Sequence, residues 1–572
     1  MYNLMYNKKE TKAWAPLPEK DSKQFSGISR TPHTQNRQSA FFNKMKCTRE
    51  KLYYETLSIP PENSNFTLTE NGAVAYKSSG SALVDINFKI TAMREMSAVE
   101  INSLFRKAYA EDPRLAIRWL GWLLDIRKGS GERRSSMIIL EDMMNNGAAK
   151  IVANIIELIP EYGRWDMIYN FISNPITAQK VKSLIRKQFS EDIDSMRKGE
   201  PISLLAKWSA SANSHCAETR KNGLWTAKAL NLTERQYRKT LSELRKYIDV
   251  VERKMSSNNW QAIDYEKVPS KANLNYNKAF FKHDEERRRA YLDGLTQGKA
   301  KINASVVNPC EIVNKYFQSK KGFYYEYNPT LEGMWKALPN LIEPNKSMLV
   351  VADGSGSMTS HCSGNITCLD VANALAIYCA DRAKGAFANK YITFSMTPQF
   401  VEFKTTDTLM DKIKKAEMHD ECANTNLEAV FDLILQTAID NQSPQSDLPE
   451  SILLLSDMAF DKMVKANNTP IEDGSWYKTY PKVTKSFMTE INERFAAHGY
   501  QMPKIVYWNI CGNGRTTTFP ITQDDRGIMV SGYSANTLKM VMSGKTNPFE
   551  AIVEVVSNSR YLPFENALNT TY

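Results

Sequence analysis

From residue 97 to about 320, apolar residues recur at helical spacing. Ile101, Leu104, Phe105 and Ala108 stand at i, i+3, i+4 and i+7, which marks one face of a helix. Asp112 and Pro113 read as an N-cap and a first-turn proline that open the next helix. Leu115, Trp119, Trp122, Leu123 and Ile126 are its apolar positions, and RKGSGERR (127–134) closes it and opens another. A further helix is expected over Ile151–Ile159, stopped by Pro160. Short helices with brief turns predict an α-solenoid or bundle. Upstream, residues 1–45 are rich in Lys, Gln, Ser, Thr and Asn without a sustained period and read as a flexible arm. Residues 50–92 contain alternating stretches, NGAVAYKSSGSALVDINFKI among them, that predict a short hairpin.

The stretch 233–253 is the most informative of the helices. Thr233 and Gln236 form a capping box. At about 100° per residue, Tyr237, Leu241, Leu244, Ile248 and Val251 fall on one narrow stripe. Arg235, Arg238, Lys239, Arg245, Lys246 and Arg253 fall on another, with Glu234, Glu243 and Asp249 in the minority. One face packs and the other is a basic ridge, suited either to solvent or to nucleic acid.

After residue 345 the period changes. MLVVAD (348–353), KYITFS (390–395), QFVEF (399–403), SILLLSD (451–457), KIVYWNI (504–510) and GIMVSGY (527–533) read as strands. Helices are expected at 367–383, 425–440, 483–498 and from 536 onward. This alternation predicts a mainly parallel α/β sheet with both faces covered.

Charge sharpens the division. Residues 1–350 carry 55 Lys and Arg against 38 Asp and Glu, a net of +17, whereas residues 351–572 carry 19 against 25, a net of −6. A basic half joined to an acidic half suggests two modules with different partners, and nucleic acid is the commonest partner of the first. No apolar run approaches the ~18 residues of a membrane span. The start, MYNLMYNKKETKAWAPLPEK, has no apolar core of a secretory signal. The eight cysteines include no C-x-x-C pair, which argues against structural zinc and for free thiols in a reducing, cytoplasmic setting.

Ligands of parallel sheets bind at the carboxyl ends of the strands. Three segments place oxygen there: Asp353-Gly354-Ser355-Gly356-Ser357, Thr425 at a helix start, and Asp457. Two carboxylates and three hydroxyls are hard ligands that suit Mg2+, Mn2+ or Ca2+ and not zinc. The glycines are expected to let the loop turn sharply. Asp-x-Ser-x-Ser after the first strand, then a Thr, then an Asp after the fourth strand resembles the metal-ion-dependent adhesion site of von Willebrand factor A domains, over about residues 345–545. The resemblance implies that Ser355, Ser357 and Thr425 approach the metal directly, and that Asp353 and Asp457 bind directly or through water.

The first half carries a resemblance too. LFRKAYAEDPRLAIRWLGWLLDIRKGSGERR, PEYGRWDMIYNF, LLAKWSAS, YRKTLSELRKYIDVVE and IDYEKVPSKA resemble poorly characterised proteins in which a helical region is fused to this A domain. The arrangement is similar to that of the Ro autoantigen, whose TROVE module is a ring of helical, HEAT-like repeats that binds small non-coding RNAs and the ends of misfolded RNAs. The resemblance implies an arm at 1–45, a TROVE-like helical domain at 46–340 and an A-like α/β domain at 341–572. It implies a ribonucleoprotein without catalytic activity and with no membrane partner. The phosphate-contacting candidates are Arg127, Arg133, Arg134, Arg164, Lys207, Arg238, Lys239, Arg245 and Lys246. The alternative is an adaptor whose metal captures an acidic side chain of a partner protein.

Other motifs carry less. Ser543-Gly544-Lys545-Thr546 mimics the end of a P-loop, but position 539 is Lys where Gly is required. Gly129-Ser130-Gly131 between basic residues suits a phosphate cradle, and suits a plain helix–helix turn better. A metal-assisted hydrolase lacks a general base beside Ser355 or Asp457.

Overall fold

The computed structural model describes residues 65–68, 74–248, 250–320, 324–342, 347–394, 398–419, 427–458, 487–510, 518–523, 525–541 and 545–569. The expected arm at 1–45 lies outside them, as does Thr425. Two short strands, β1 (Phe66–Leu68) and β2 (Val74–Tyr76), pair antiparallel as the expected hairpin. The alternating stretch that follows is not a strand. Ala82–Phe88 is a helix, capped by the Ser81 side chain on Val84 N–H, and it buries Leu83, Val84, Ile86 and Phe88. Five apolar residues within seven can serve either period, and the cap together with packing on the neighbouring helix decides for α.

Downstream, the helices fall where their caps place them. Ala98–Glu111 ends at Asp112, whose side chain then caps Pro113–Leu124 by accepting from Arg114 and Leu115 N–H. Arg133–Asn145 follows the basic turn. The helix expected over Ile151–Ile159 is instead Ala149–Ile156, and Pro160 begins the next turn, Ile159–Tyr162, because a first-turn proline has no N–H to lose. The ridge helix also stops short. It spans Glu234–Tyr247, and a separate helix runs Val251–Ser256. Tyr237, Leu241 and Leu244 join the main core, whereas Val251 joins a satellite cluster with Ile263, Tyr265, Val268, Ala272 and Phe280.

The second half is built on β3 (Met348–Asp353), with the small ribbon β4 (His361–Ser363) and β5 (Ile366–Thr367) beside it. The remaining strands are β6 (Lys390–Phe394), β7 (Phe400–Glu402), β8 (Ser451–Ser456), β9 (Lys504–Asn509) and β10 (Ile528–Ser531). Their order is β10-β9-β8-β3-β6-β7, parallel throughout except for the antiparallel edge strand β7. All six residues of β3 are buried, as a strand covered on both faces requires. Strand order reverses between β3 and β8. That is the point at which chain connections leave in opposite directions and a crevice opens at the carboxyl ends.

The two halves share one hydrophobic core, which runs from Leu83 to Ala567. The ends of β9 and β10 are capped by the helical half. Asn509 Nδ2 donates to Phe88 O (3.1 Å), and Thr91 N–H donates to Ser531 Oγ (3.0 Å). The last helices return to helix Pro113–Leu124, where a Cβ on Gly121 would meet the Phe564 ring at 2.7 Å. Arg118 pairs with Glu565 beside this contact. Asp125, whose side chain has no exposed surface, is held by Arg560 Nε at 2.5 Å and Nη2 at 3.0 Å. Among the described residues no helix is long and apolar enough to cross a membrane.

Removing Arg560 would strand a buried carboxylate. Arg560→Ala should therefore cost about 3–5 kcal/mol in urea unfolding. Adding Asp125→Asn should recover much of that loss, because the stranded charge goes with it; no recovery would show that packing, not the ion pair, joins the halves here.

Candidate functional site

The crevice between β3 and β8 holds the oxygen cluster. Asp353 ends β3 and Asp457 follows β8 directly; with Ala352 opposite Leu455, parallel pairing sets Ser456 level with Asp353 and Asp457 one residue beyond, where its charge acts on Asp353. Both are buried, at 1% and 6% exposure. Asp353 Oδ1 accepts from Ser355 N–H (2.9 Å) and Oδ2 accepts from Ser456 Oγ (2.6 Å). The Ser355 and Ser357 hydroxyls lie 3.0 Å apart. Burial, and next the charge of Asp457, hold the Asp353 carboxyl well above the usual carboxylate range, while the two hydrogen bonds partly oppose them.

Ser456 was not a sequence candidate, although it immediately precedes Asp457 in SILLLSD. Its hydroxyl fixes Asp353 and accepts from Met458 N–H (3.0 Å), across a backbone held at φ +66° at Met458. Gly356 is not needed for the turn: a Cβ there would meet open space.

The donors fit a hard divalent cation. Asp353, Asp457, Ser355 and Ser357 offer only oxygen, and a positive ion would favour the ionised carboxylate that burial, and next the Asp457 charge, disfavour at Asp353. With two carboxylates the site is sparse. Among the described residues, no group of three or more His, Cys, Asp or Glu gathers to hold a metal. Thr425 completes the expected set and lies outside the described residues.

The nine basic candidates separate into three groups. Arg238, Lys239 and Arg245 line one concavity along helix Glu234–Tyr247, joined by Arg235 and Arg253 and by a single acid, Glu234. Lys246, on the same helix, is exposed. Arg133, Arg164 and Lys207 are linked around Trp208. Arg164 stacks over its ring at 4.1 Å, Lys207 lies 5.7 Å from it, and the Arg164 charge helps burial push the Arg133 pKa down. Arg164 is also paired with Asp166, and Lys207 with Glu252 at 3.3 Å.

Of the remaining two, Arg134 is engaged in the fold through its guanidinium, whereas Arg127 is engaged through its backbone and its side chain is exposed. Arg134 donates to Met93 O (2.8 Å) and Met96 O (2.9 Å), and Arg127 sits in a turn docked on the second half. In that turn, Gly129 O accepts from Ser534 Oγ (3.3 Å) and Asn536 Nδ2 (3.2 Å). The basic turn is thus a joint between the halves as well as a turn between helices. Arg235 and Arg253 were visible on the helical wheel as part of the ridge; their convergence with the 211–213 segment was not.

Comparison with known proteins follows the same division. Residues 69–166 and 213–343 match one domain of unknown function (DUF2828), and residues 347–562 match another (DUF7788). An uncharacterised protein of Acanthamoeba polyphaga mimivirus is 28% identical over 535 residues, 86% of this chain and 87% of that protein. Among solved structures, the Ro (RSR) protein of Deinococcus radiodurans aligns with a TM-score of 0.45 at 13% identity, covering 84% of this chain and all of that one.

A raised carboxyl pKa has a definite sign. The folded state keeps its proton at a pH where the unfolded state has lost it, so this group stabilises the fold below the usual carboxylate range. That contribution is lost as pH rises through the elevated folded value. Thermal melts of chelator-treated protein should therefore fall as pH rises above the usual carboxylate range, and Asp353→Asn should flatten the fall. An unchanged slope would show that Asp353 is not the titrating group.

Proposed function

We propose that this chain is a non-catalytic, Ro-like RNA-binding protein. Its helical half would hold small structured non-coding or misfolded RNA through phosphates. Its sheet would be a von Willebrand factor A-type domain with a divalent-cation adhesion site, Mg2+ first, with Mn2+ or Ca2+ as alternatives. The observation that carries the RNA reading is the concavity on helix Glu234–Tyr247, where five cationic side chains meet one acid. The +17 balance of residues 1–350 extends the same positive field. The strand order with its antiparallel edge, and the acid–hydroxyl loop at the switch point, support the A-type reading. The non-catalytic part rests on the sequence, which places no general base beside Ser355 or Asp457.

Phosphate contacts release counterions, so log affinity for RNA should fall linearly with log salt. Charge reversal by Arg238→Glu with Lys239→Glu should weaken binding of unrelated sequences alike, by about tenfold or more, and lessen the salt slope. Filter binding across a salt series measures both. Affinity indifferent to salt and to the reversal would sink the reading.

A second reading is favoured by one observation, the paired buried acids beside two hydroxyls. It makes the chain a metal-dependent adaptor. A cation held by Asp353, Asp457, Ser355 and Ser357 would supply a Lewis-acidic centre with positions open to a partner's carboxylate. Mg2+ or Mn2+ at a hundredfold excess over its Kd should raise stability by about 2.7 kcal/mol. Asp457→Asn should abolish that increment, and a metal-indifferent wild-type melt would remove the cation from both readings.

A further inference from the structure

The concavity on helix Glu234–Tyr247 has a volume of about 930 Å³. Arg235 and Arg245 lie ten residues apart along it, about 15 Å at the helical rise. Its charge is nearly unopposed. Glu234, the one acid lining it among the described residues, stands 3.6 Å from Arg238. Among the described residues Arg235, Lys239 and Arg253 have no carboxylate within ion-pair distance.

Arg245 is a different kind of cation. It is half-buried, and its guanidinium donates to Ala206 O (2.9 Å), Ser211 Oγ (2.9 Å) and Ser209 O (2.6 Å). All three acceptors are neutral, so the fork is fixed in place while its charge stays uncompensated. Only three of the five N–H donors of a guanidinium are engaged by these bonds. The opposite wall is rigid. Tyr237 Oη donates to Ala210 O (2.7 Å), Ala210 N–H donates to Tyr169 Oη (3.1 Å), and a Cβ on Gly223 would strike Ala212 N at 2.5 Å from behind.

Among the described residues no aromatic side chain lines the concavity. Sites that grip single strands along their length pair a basic groove with rings on which bases stack, and this one has no such platform. It is built for phosphate alone. Two kinds of RNA phosphate then compete. A phosphodiester within the strand carries one charge and has sugar on both sides, which keeps it out of a recess. A terminal phosphate carries about −1.5 to −2 and has chain on one side only, so it enters. Convergent cations around a recess favour the compact, denser charge, because low-dielectric walls focus the field there.

We propose that this concavity seats the phosphorylated end of an RNA strand in preference to the phosphodiesters along its length. The proposal rests on the RNA-binding reading above and adds the part of the RNA that is held.

The test uses the full chain and one short single-stranded RNA prepared with a 5′-triphosphate or a 5′-hydroxyl, labelled at its 3′ end and followed by fluorescence anisotropy. The triphosphate form should bind about tenfold tighter or more, as one well-made charged contact allows. Inorganic tripolyphosphate should displace it. Arg235 and Arg238 are both exposed, so Arg235→Glu with Arg238→Glu should leave the melt unchanged and erase the preference between ends. Equal affinity for the two ends would overturn this inference and leave RNA binding standing. A preference that survives the double reversal, or tripolyphosphate that fails to compete, would overturn it as well. Failure to bind either RNA would overturn the RNA reading itself, and this inference with it.

Discussion

Asp125 carries a charge with no exposed surface, and the guanidinium that answers it arrives from residue 560. A lone buried carboxylate is among the costliest groups a fold can contain, so the site is tolerable only with the far end of the chain in place. Around that pair the two halves interlock. Phe564 lies where Gly121 leaves room, Tyr561 Oη reaches Asp125 at 3.3 Å, and Phe564 meets Tyr162 edge-on at 4.9 Å. The basic turn at 127–134 is spent on the same joint. A division of charge into a basic and an acidic half, clear in the sequence, therefore does not correspond to two cores.

Between the carboxyl ends of β3 and β8 the electrostatics run the opposite way. Asp353 and Asp457 are both buried, Asp353 accepts from Ser355 N–H and Ser456 Oγ, and the Asp457 charge adds to burial in disfavouring its ionised form. Parallel pairing of β3 with β8 brings both acids to the carboxyl ends of adjacent strands, Ser456 level with Asp353 and Asp457 next to it in the chain, where the strand order reverses. Two acids brought to one crevice are here held against their mutual repulsion, a cost the fold avoids elsewhere.

The basic face shows how far a count of arginines can mislead. Arg134 and Arg245 donate mainly to backbone oxygens, and Arg164 is divided between Asp166 and the Trp208 ring. These guanidiniums hold the fold in place through their flat forks. The exposed cations Arg235, Arg238 and Lys239 on helix Glu234–Tyr247 are not engaged in this way, and Arg245 beside them keeps part of its fork unbonded.

Sequence by itself determined the periods, the caps and the site motif. Thr233 with Gln236, Asp112 with Pro113, the uninterrupted apolar run of MLVVAD and the Asp-x-Ser-x-Ser loop are local, since each depends on residues within a few positions of one another. Tertiary structure decided what depends on distant partners. It made 82–88 a helix, ended the ridge helix at Tyr247 and sent Val251 into a separate cluster. It recruited Ser456 to hold Asp353, and it separated the arginines whose guanidiniums bond within the fold from those left exposed. The physical reason is one of range. Propensity and amphipathic period are written within a turn or two of chain, whereas the partner of a buried charge or a donor is chosen by packing between residues hundreds of positions apart.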